Sequence, residues 1–152
     1  MHKTHSKALG GGDKSAADFV IDMLRGDPTY GINFDRVQWD CERECYVIIE
    51  FLLCDEKQFP RGITPYTSHP NRYFHKNAQK FISLWDLAQA LDAVLYLFNY
   101  AKKGTEYEDQ VLGMRVLDVD PSSETPVKTK KRKFTRAEFS QWFRDLNARG
   151  RR

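Results

Sequence analysis

The feature that most restricts the fold is the segment from Cys45 to Cys54, which reads Cys-Tyr-Val-Ile-Ile-Glu-Phe-Leu-Leu-Cys. Apolar side chains occupy both parities of this run, whereas a strand with one face in water alternates apolar and polar residues. The run has the length of a strand and is rich in β-branched and aromatic residues. We therefore expect a strand in the middle of a sheet, covered on both faces.

Helical spacing of apolar side chains predicts three helices around this strand. The first begins at Ser15, the second follows Asn77 and ends near Asp92, and the third begins at Thr135, where Glu138 completes a capping box. Further strands are predicted at 32–40, 94–98 and 111–117, and 121–133 is interpreted as a loop. The order α-β-β-α-β-β-α predicts an α/β (α+β) fold, with a mixed four-stranded sheet flanked by helices and one parallel crossover.

The chain of 152 residues is long enough for one core but short for two domains. We expect a flexible arm at 1–12, which contains three consecutive glycines, a single domain at 13–149 and a basic end at 150–152. No apolar run approaches the roughly 20 residues that span a bilayer, and no signal-type segment opens the sequence. Three cysteines, an odd number, are expected to be reduced, so the predicted location is cytoplasmic, away from membranes.

Glu50 interrupts the apolar run, where an unpaired buried carboxylate would cost several kcal/mol. A four-residue turn between the first two strands places Trp39 opposite Tyr46 and Asp35 opposite Glu50. Two acids that face each other across a sheet repel, unless a proton or a divalent cation lies between them. The residues therefore predict a Mg²⁺ or Mn²⁺ site held by Asp35 and Glu50.

Two alternatives remain open from the residues alone. A register shifted by one residue places Arg36 opposite Glu50, which makes a structural salt bridge without chemistry. Asp40 is an alternative acid, but it lies about five residues along the strand, or roughly 15 Å from Glu50.

The succession of a helix, a strand with Asp35, a strand with Glu50, a helix and a strand resembles the core of the PD-(D/E)xK, or restriction-endonuclease-like, nucleases. The resemblance covers roughly residues 15–117. In that family the two acids bind magnesium and the lysine of the E-x-K motif positions water. Because Glu50-Phe51-Leu52 lacks this lysine, the resemblance implies that Lys76 or Lys80 replaces it. The implied function is a metal-dependent nuclease that hydrolyses phosphodiester bonds of DNA or RNA.

The loop before the second helix combines cations, hydrogen-bond donors and aromatic rings. His69, Arg72, Tyr73 and His75 are predicted to contact the phosphates or bases of a substrate, although the rings equally suit attachment of the loop to the core. The net charge is only +3, but basic residues cluster at 128–133 and attract phosphate polyanions. The alternative function is a non-catalytic accessory module, such as phages and mobile elements encode, that binds nucleic acid or protein. A homodimer is also compatible with the sequence.

Overall fold

The computed structural model describes residues 14–150, so the predicted arm at 1–12 and the last two arginines lie outside the described residues. The chain divides into two compact units, one ending at Asn33 and one beginning at Phe34. In the first unit, helix α1 (Ser15–Leu24) begins at the residue expected from the sequence and buries none of its side chains. It ends in a left-handed turn at Arg25 and Gly26, with φ of 50° and 88°.

The second unit contains a mixed sheet whose strand order follows the chain, with helices α2 (Ala78–Ala90) and α3 (Arg136–Ala148). Among the described residues the sheet has five strands: β1 (Arg36–Asp40), β2 (Cys45–Leu53), β3 (Val94–Tyr100), β4 (Gln110–Val119) and β5 (Val127–Thr135). Strands β2 and β3 are parallel and the other neighbouring pairs are antiparallel, so the predicted crossover through α2 is confirmed. The segment between β2 and α2 contains three short 3-10 helices: Glu56–Arg61, Pro70–Arg72 and Phe74–Lys76.

The predicted four-strand count is wrong, because most of the segment interpreted as a loop forms β5. Only Val127 and Phe134 of this strand are buried, and five cations between them conceal the alternation that marks a strand. The backbone of β5 nevertheless pairs with β4 along its length. Charged side chains suit this position, because β5 is an edge strand and charge discourages pairing with another chain.

The register between β1 and β2 places Trp39 opposite Tyr46 and Val37 opposite Ile48, as predicted. Arg36 lies opposite Ile49, so the alternative register that pairs Arg36 with Glu50 is wrong. The Arg36 guanidinium instead lies 5.0 Å from the ring centroid of Phe143 in α3. Strand β1 begins at Arg36, and Asp35 therefore lies immediately before the ladder.

Helices α2 and α3 cover opposite faces of the sheet, as the apolar character of β2 requires. The α3 face carries a core cluster of Val47, Ile49, Phe98, Val111, Phe134 and Leu146. On the other face α2 packs against β3 and β4 and buries Phe81, Leu84 and Ala88. Since side chains alternate along β2, Glu50 and Phe51 lie on opposite faces, with Glu50 on the α2 face.

Gly113 in β4 is required by the close packing of two rings. A Cβ atom there would lie 2.9 Å from Cε2 of Phe134 and 3.0 Å from Cε1 of Phe98, and both rings are buried. We expect Gly113→Ala to lower the free energy of unfolding by about 1–3 kcal/mol, because the rings must move within a packed core. Urea denaturation measures the change. Gly31→Ala is the control, since a Cβ atom at Gly31 would lie 3.7 Å from its nearest neighbour, which is an ordinary contact. Equal stability of the two variants would contradict the expectation.

Candidate functional site

The site is centred on Glu50, whose residue surface is 4% exposed. Lys80, in the first turn of α2, reaches down to the sheet, and its Nζ contacts Oε1 of Glu50. The Lys80 side chain is 33% exposed, so the pair connects the interior of the sheet with solvent. The positive group that compensates the buried acid is therefore a lysine of the following helix.

Lys80 compensates the negative charge of the buried Glu50 only in part. Burial raises the pKa of Glu50 more than the contact with Lys80 lowers it, and the charge of Asp35 raises it further. Its second oxygen, Oε2, is buried and has no hydrogen-bond partner within the part of the chain that the structure describes. A buried carboxylate oxygen without a donor is unfavourable, and a bound cation or a proton would satisfy it.

Asp35 lies at the edge of the sheet, where β1 begins. Its Oδ2 accepts a hydrogen bond of 2.7 Å from the backbone amide of Phe51, the residue after Glu50. Asp35 is exposed and borders a cavity of about 430 Å³ on the α3 face, together with Phe51, Tyr100 and Arg136. The two acids thus lie within electrostatic range, but Asp35 lies at the sheet edge while Glu50 faces α2.

Tyr73 is a third polar group near Glu50. Burial raises the pKa of Tyr73 to about 12, with the nearby Glu50 and Cys54 charges adding to the increase and Arg72 opposing it. Its ring packs 6.1 Å from that of Phe81 in α2. The hydroxyl therefore stays protonated at neutral pH. Lys76 and His75 are exposed near the start of α2, and no described contact joins either of them to Glu50.

Two residues that were predicted to contact a substrate, His69 and Arg72, hold the loop before α2 in place. The Nδ1 of His69 accepts a hydrogen bond from the Asn71 amide at 3.1 Å, and its Nε2 lies 3.0 Å from Oγ1 of Thr129 in β5. Burial lowers the pKa of His69, with the charge of Lys131 adding to the effect. Because Nδ1 accepts a hydrogen bond and so carries no proton, His69 is a neutral side chain, and its two contacts attach the loop to β5.

Arg72 is exposed but is also engaged by its own loop. It donates hydrogen bonds to Oε1 of Gln58 at 3.1 Å and to Oγ of Ser68 at 3.4 Å, and its guanidinium lies 5.3 Å from the Tyr73 ring centroid. These contacts place Arg72 next to Tyr73 at the loop surface. Attachment of the loop to the core, the alternative left open by the sequence, accounts for the contacts of both Arg72 and His69.

Two asparagines that shape this loop were not identified from the sequence. Asn99 is 2% exposed, and its amide donates to the carbonyl oxygens of Pro65 and Ser68 at 3.1 and 2.8 Å. Asn71 exchanges two hydrogen bonds with the backbone of Val127, at 3.2 and 2.7 Å. A polar residue inside the apolar run 94–100 was the available signal for Asn99, whereas nothing in the spacing indicates Asn71.

The carboxylate oxygens of Glu50 and Asp35 are the type of ligand that a hard divalent cation prefers. No cluster of three or more histidine, cysteine, aspartate or glutamate side chains suitable for a metal occurs among residues 14–150. Magnesium, however, is commonly held by one or two carboxylates and takes its remaining ligands from water and substrate phosphate. The unpartnered Oε2 of Glu50 and the exposed carboxylate of Asp35 would supply the protein ligands.

Comparison of the chain with models of known families, with curated proteins and with solved structures finds no match. The likeness to the restriction-endonuclease-like nucleases therefore rests on the residues alone. Within the described range, no helix is long and apolar enough to cross a bilayer.

Proposed function

We propose that the protein is a metal-dependent nuclease whose centre is formed by Asp35, Glu50 and Lys80. The observation that carries the proposal is the contact between Lys80 and the buried Glu50. It supports the idea that a lysine of the helix after the acidic strand replaces the lysine that Glu50-Phe51-Leu52 lacks. The proposed substrate is a nucleic acid, with DNA favoured over RNA, and the proposed location is the cytoplasm.

In this proposal, Asp35 and Glu50 would hold Mg²⁺ or Mn²⁺, which would supply a lower pKa for bound water and offset negative charge on phosphate oxygens. The ammonium of Lys80 stabilises the charge that develops on the phosphodiester, with Lys76 as the nearby exposed alternative. The hydroxyl of Tyr73, which is protonated at neutral pH, would donate a hydrogen bond to a phosphate oxygen of the substrate. Arg72 and His75 form the loop surface against which the substrate lies, and His69 holds that loop on β5.

The test is cleavage of labelled single-stranded DNA, duplex DNA and RNA by the purified chain, with Mg²⁺, with Mn²⁺ and with chelator. We expect cleavage only with a divalent ion, and Asp35→Asn should reduce it by about 100-fold at limiting metal, because one of two anionic ligands is lost.

Asp86→Asn, an exposed acid on α2, is the matched control and should leave the rate unchanged. Cleavage that persists in chelator, or that is as fast in Asp35→Asn as in the wild type, would contradict the assignment.

A second candidate is the non-catalytic accessory module that binds nucleic acid or a protein. It is favoured by the contact between Lys80 and Glu50, which offsets part of the Glu50 charge. Salt-sensitive binding of nucleic acid without hydrolysis under any metal condition would select this candidate. Binding to nucleic acid that ignores salt would count against it. Under either function we also propose that the protein forms a homodimer, which sedimentation equilibrium tests.

A further inference from the structure

A second charged site lies on the α3 face, in a groove of about 260 Å³ beside β4 and β5. We call it the basic groove, and the cations that point into it are Arg43, Arg115, Lys130 and Arg132, whereas Lys131 borders it but points to the other face of the sheet. No aspartate or glutamate is among the residues that line it. The groove therefore presents concentrated positive charge although the whole chain is nearly neutral.

The charges of the basic groove are largely uncompensated. Within the described residues, only Arg43 among these four has a carboxylate within 4.0 Å, which is Asp40 at 3.8 Å. Arg115 and Lys130 are direct cross-strand partners between β4 and β5, and both are exposed. Like charges opposite one another destabilise a sheet. An anion bound between them would remove this repulsion.

Aromatic rings line the same groove. Trp142 of α3 is partly exposed and packs 5.2 Å from the ring of Tyr96 and 5.1 Å from that of Phe98. The hydroxyl of Tyr96 accepts a hydrogen bond of 3.0 Å from Arg43, which fixes a cation beside the ring. Cations next to partly exposed rings are the combination that binds the backbone and the bases of single strands.

The groove lies on the opposite face of the sheet from Glu50 and Lys80. Glu50 is beside Leu97 in the sheet, whereas Tyr96 and Phe98 point to the other face. A ligand in the basic groove would therefore contact the protein away from Glu50 and Lys80. Its role would be to retain the nucleic acid.

We propose that the basic groove binds one nucleotide unit of single-stranded nucleic acid, with its phosphate on Arg115 and Lys130 and its base against Tyr96 or Trp142. The volume of about 260 Å³ suits one nucleotide. Bases inside a duplex are stacked and paired, so they do not reach rings at the floor of a groove. The inference shares its ligand class with the proposed nuclease and needs no hydrolysis.

The test measures the affinity of fluorescent decathymidylate by anisotropy in chelator, with Glu50→Gln as the parent protein so that the oligonucleotide stays intact. Arg115→Ala combined with Lys130→Ala should raise Kd about tenfold. It should also reduce the slope of log K against log salt by about 0.7, since both cations contact one phosphate and each lost phosphate contact on a single strand accounts for about 0.7. Lys102→Ala combined with Lys103→Ala removes two exposed cations from the β3–β4 connection and should change Kd by less than about twofold.

A second measurement separates stacking from charge without altering the protein. An abasic oligonucleotide of the same length and charge should bind about fivefold more weakly or worse, because it has no base to stack. A duplex should also bind more weakly than the single strand. Any of four results would overturn the inference. Two concern affinity for decathymidylate: no binding at all, or equal losses in the two double variants. The other two are an abasic oligonucleotide that binds as tightly as decathymidylate and a duplex that binds as tightly as the single strand. Absence of cleavage by the wild type would overturn only the proposed nuclease, because these measurements contain no metal.

Discussion

Replacing Glu50 with glutamine is expected to reduce metal-dependent cleavage by at least about a hundredfold and to leave the free energy of unfolding at pH 7 unchanged or higher. Glutamine preserves the shape of the side chain but has no charge with which to hold a cation. The same loss removes the cost of keeping a charged carboxylate under α2, where Oε2 has no donor among the described residues. Lys80 does not become a buried unpaired charge, because its side chain is 33% exposed and hydrates readily.

Cleavage rates and urea denaturation of the same protein preparation measure the two halves of this expectation. Glu106→Gln, an exposed acid in the β3–β4 connection, is the matched control and should change neither quantity. A loss of stability of several kcal/mol in Glu50→Gln, with cleavage reduced only in proportion to the unfolded fraction, would show that Glu50 supports the fold and not the chemistry. Unchanged cleavage would remove Glu50 from the proposed centre.

Asp40→Ala is expected to lower the free energy of unfolding by about 3 kcal/mol at pH 7. The Asp40 side chain is fully buried, and its Oδ1 accepts hydrogen bonds from the backbone amides of Glu42 and Arg43 at 3.0 and 3.3 Å and from Nε of Arg149 at 3.1 Å. One carboxylate thus joins the β1–β2 turn to the end of α3, where the Cys41 amide also donates to the Arg149 carbonyl at 2.9 Å. Alanine leaves these donors without their acceptor.

The effect of Asp40→Ala should depend on pH in a defined direction. Burial raises the pKa of Asp40, but the hydrogen bonds from Arg149 and from the turn amides lower it more, so the folded pKa lies below the ordinary 3.8. The unfolded chain therefore takes up the proton first as the pH falls, and the stabilisation by Asp40 is lost as the pH falls through the folded pKa.

Urea denaturation at pH 7 and at pH 3 checks this dependence. The difference between wild type and Asp40→Ala should be smaller at pH 3. Asp40→Asn should cost less than Asp40→Ala, because the amide oxygen still accepts from the turn. A difference that is constant over this range would contradict the assigned electrostatic role.

Several elements were predictable because their cause is local. The Thr135 side chain accepts from the Glu138 amide and Glu138 accepts from the Thr135 amide, as the capping box in the sequence indicates. Asn77 does precede α2, but its side chain makes no capping hydrogen bond, since its amide donates to the Tyr73 carbonyl at 3.5 Å. A residue type that favours a cap does not decide which of two nearby backbone groups its side chain will contact.

The candidate site was predictable only in part. A carboxylate inside an apolar run needs positive compensation wherever the chain folds, and a lysine at the start of the following helix was a foreseeable source. The choice of Lys80 over Lys76 depends on how α2 lies on the sheet, and no spacing contains that information. Likewise, Arg115 and Lys130 meet only because β5 pairs with β4, and the cations of β5 hide the pattern that would have shown it to be a strand.

Apolar patterning was thus sufficient to place β2 at the interior of a sheet. Turn length gave the register with β1 that the structure has, but a register shifted by one residue stayed open until the structure paired Arg36 with Ile49. The fifth strand, the partner of Glu50 and the basic groove were decided by contacts between residues distant in sequence. Such contacts form when whole faces of helices and strands pack, and their energies depend on the shape and burial of the assembled domain.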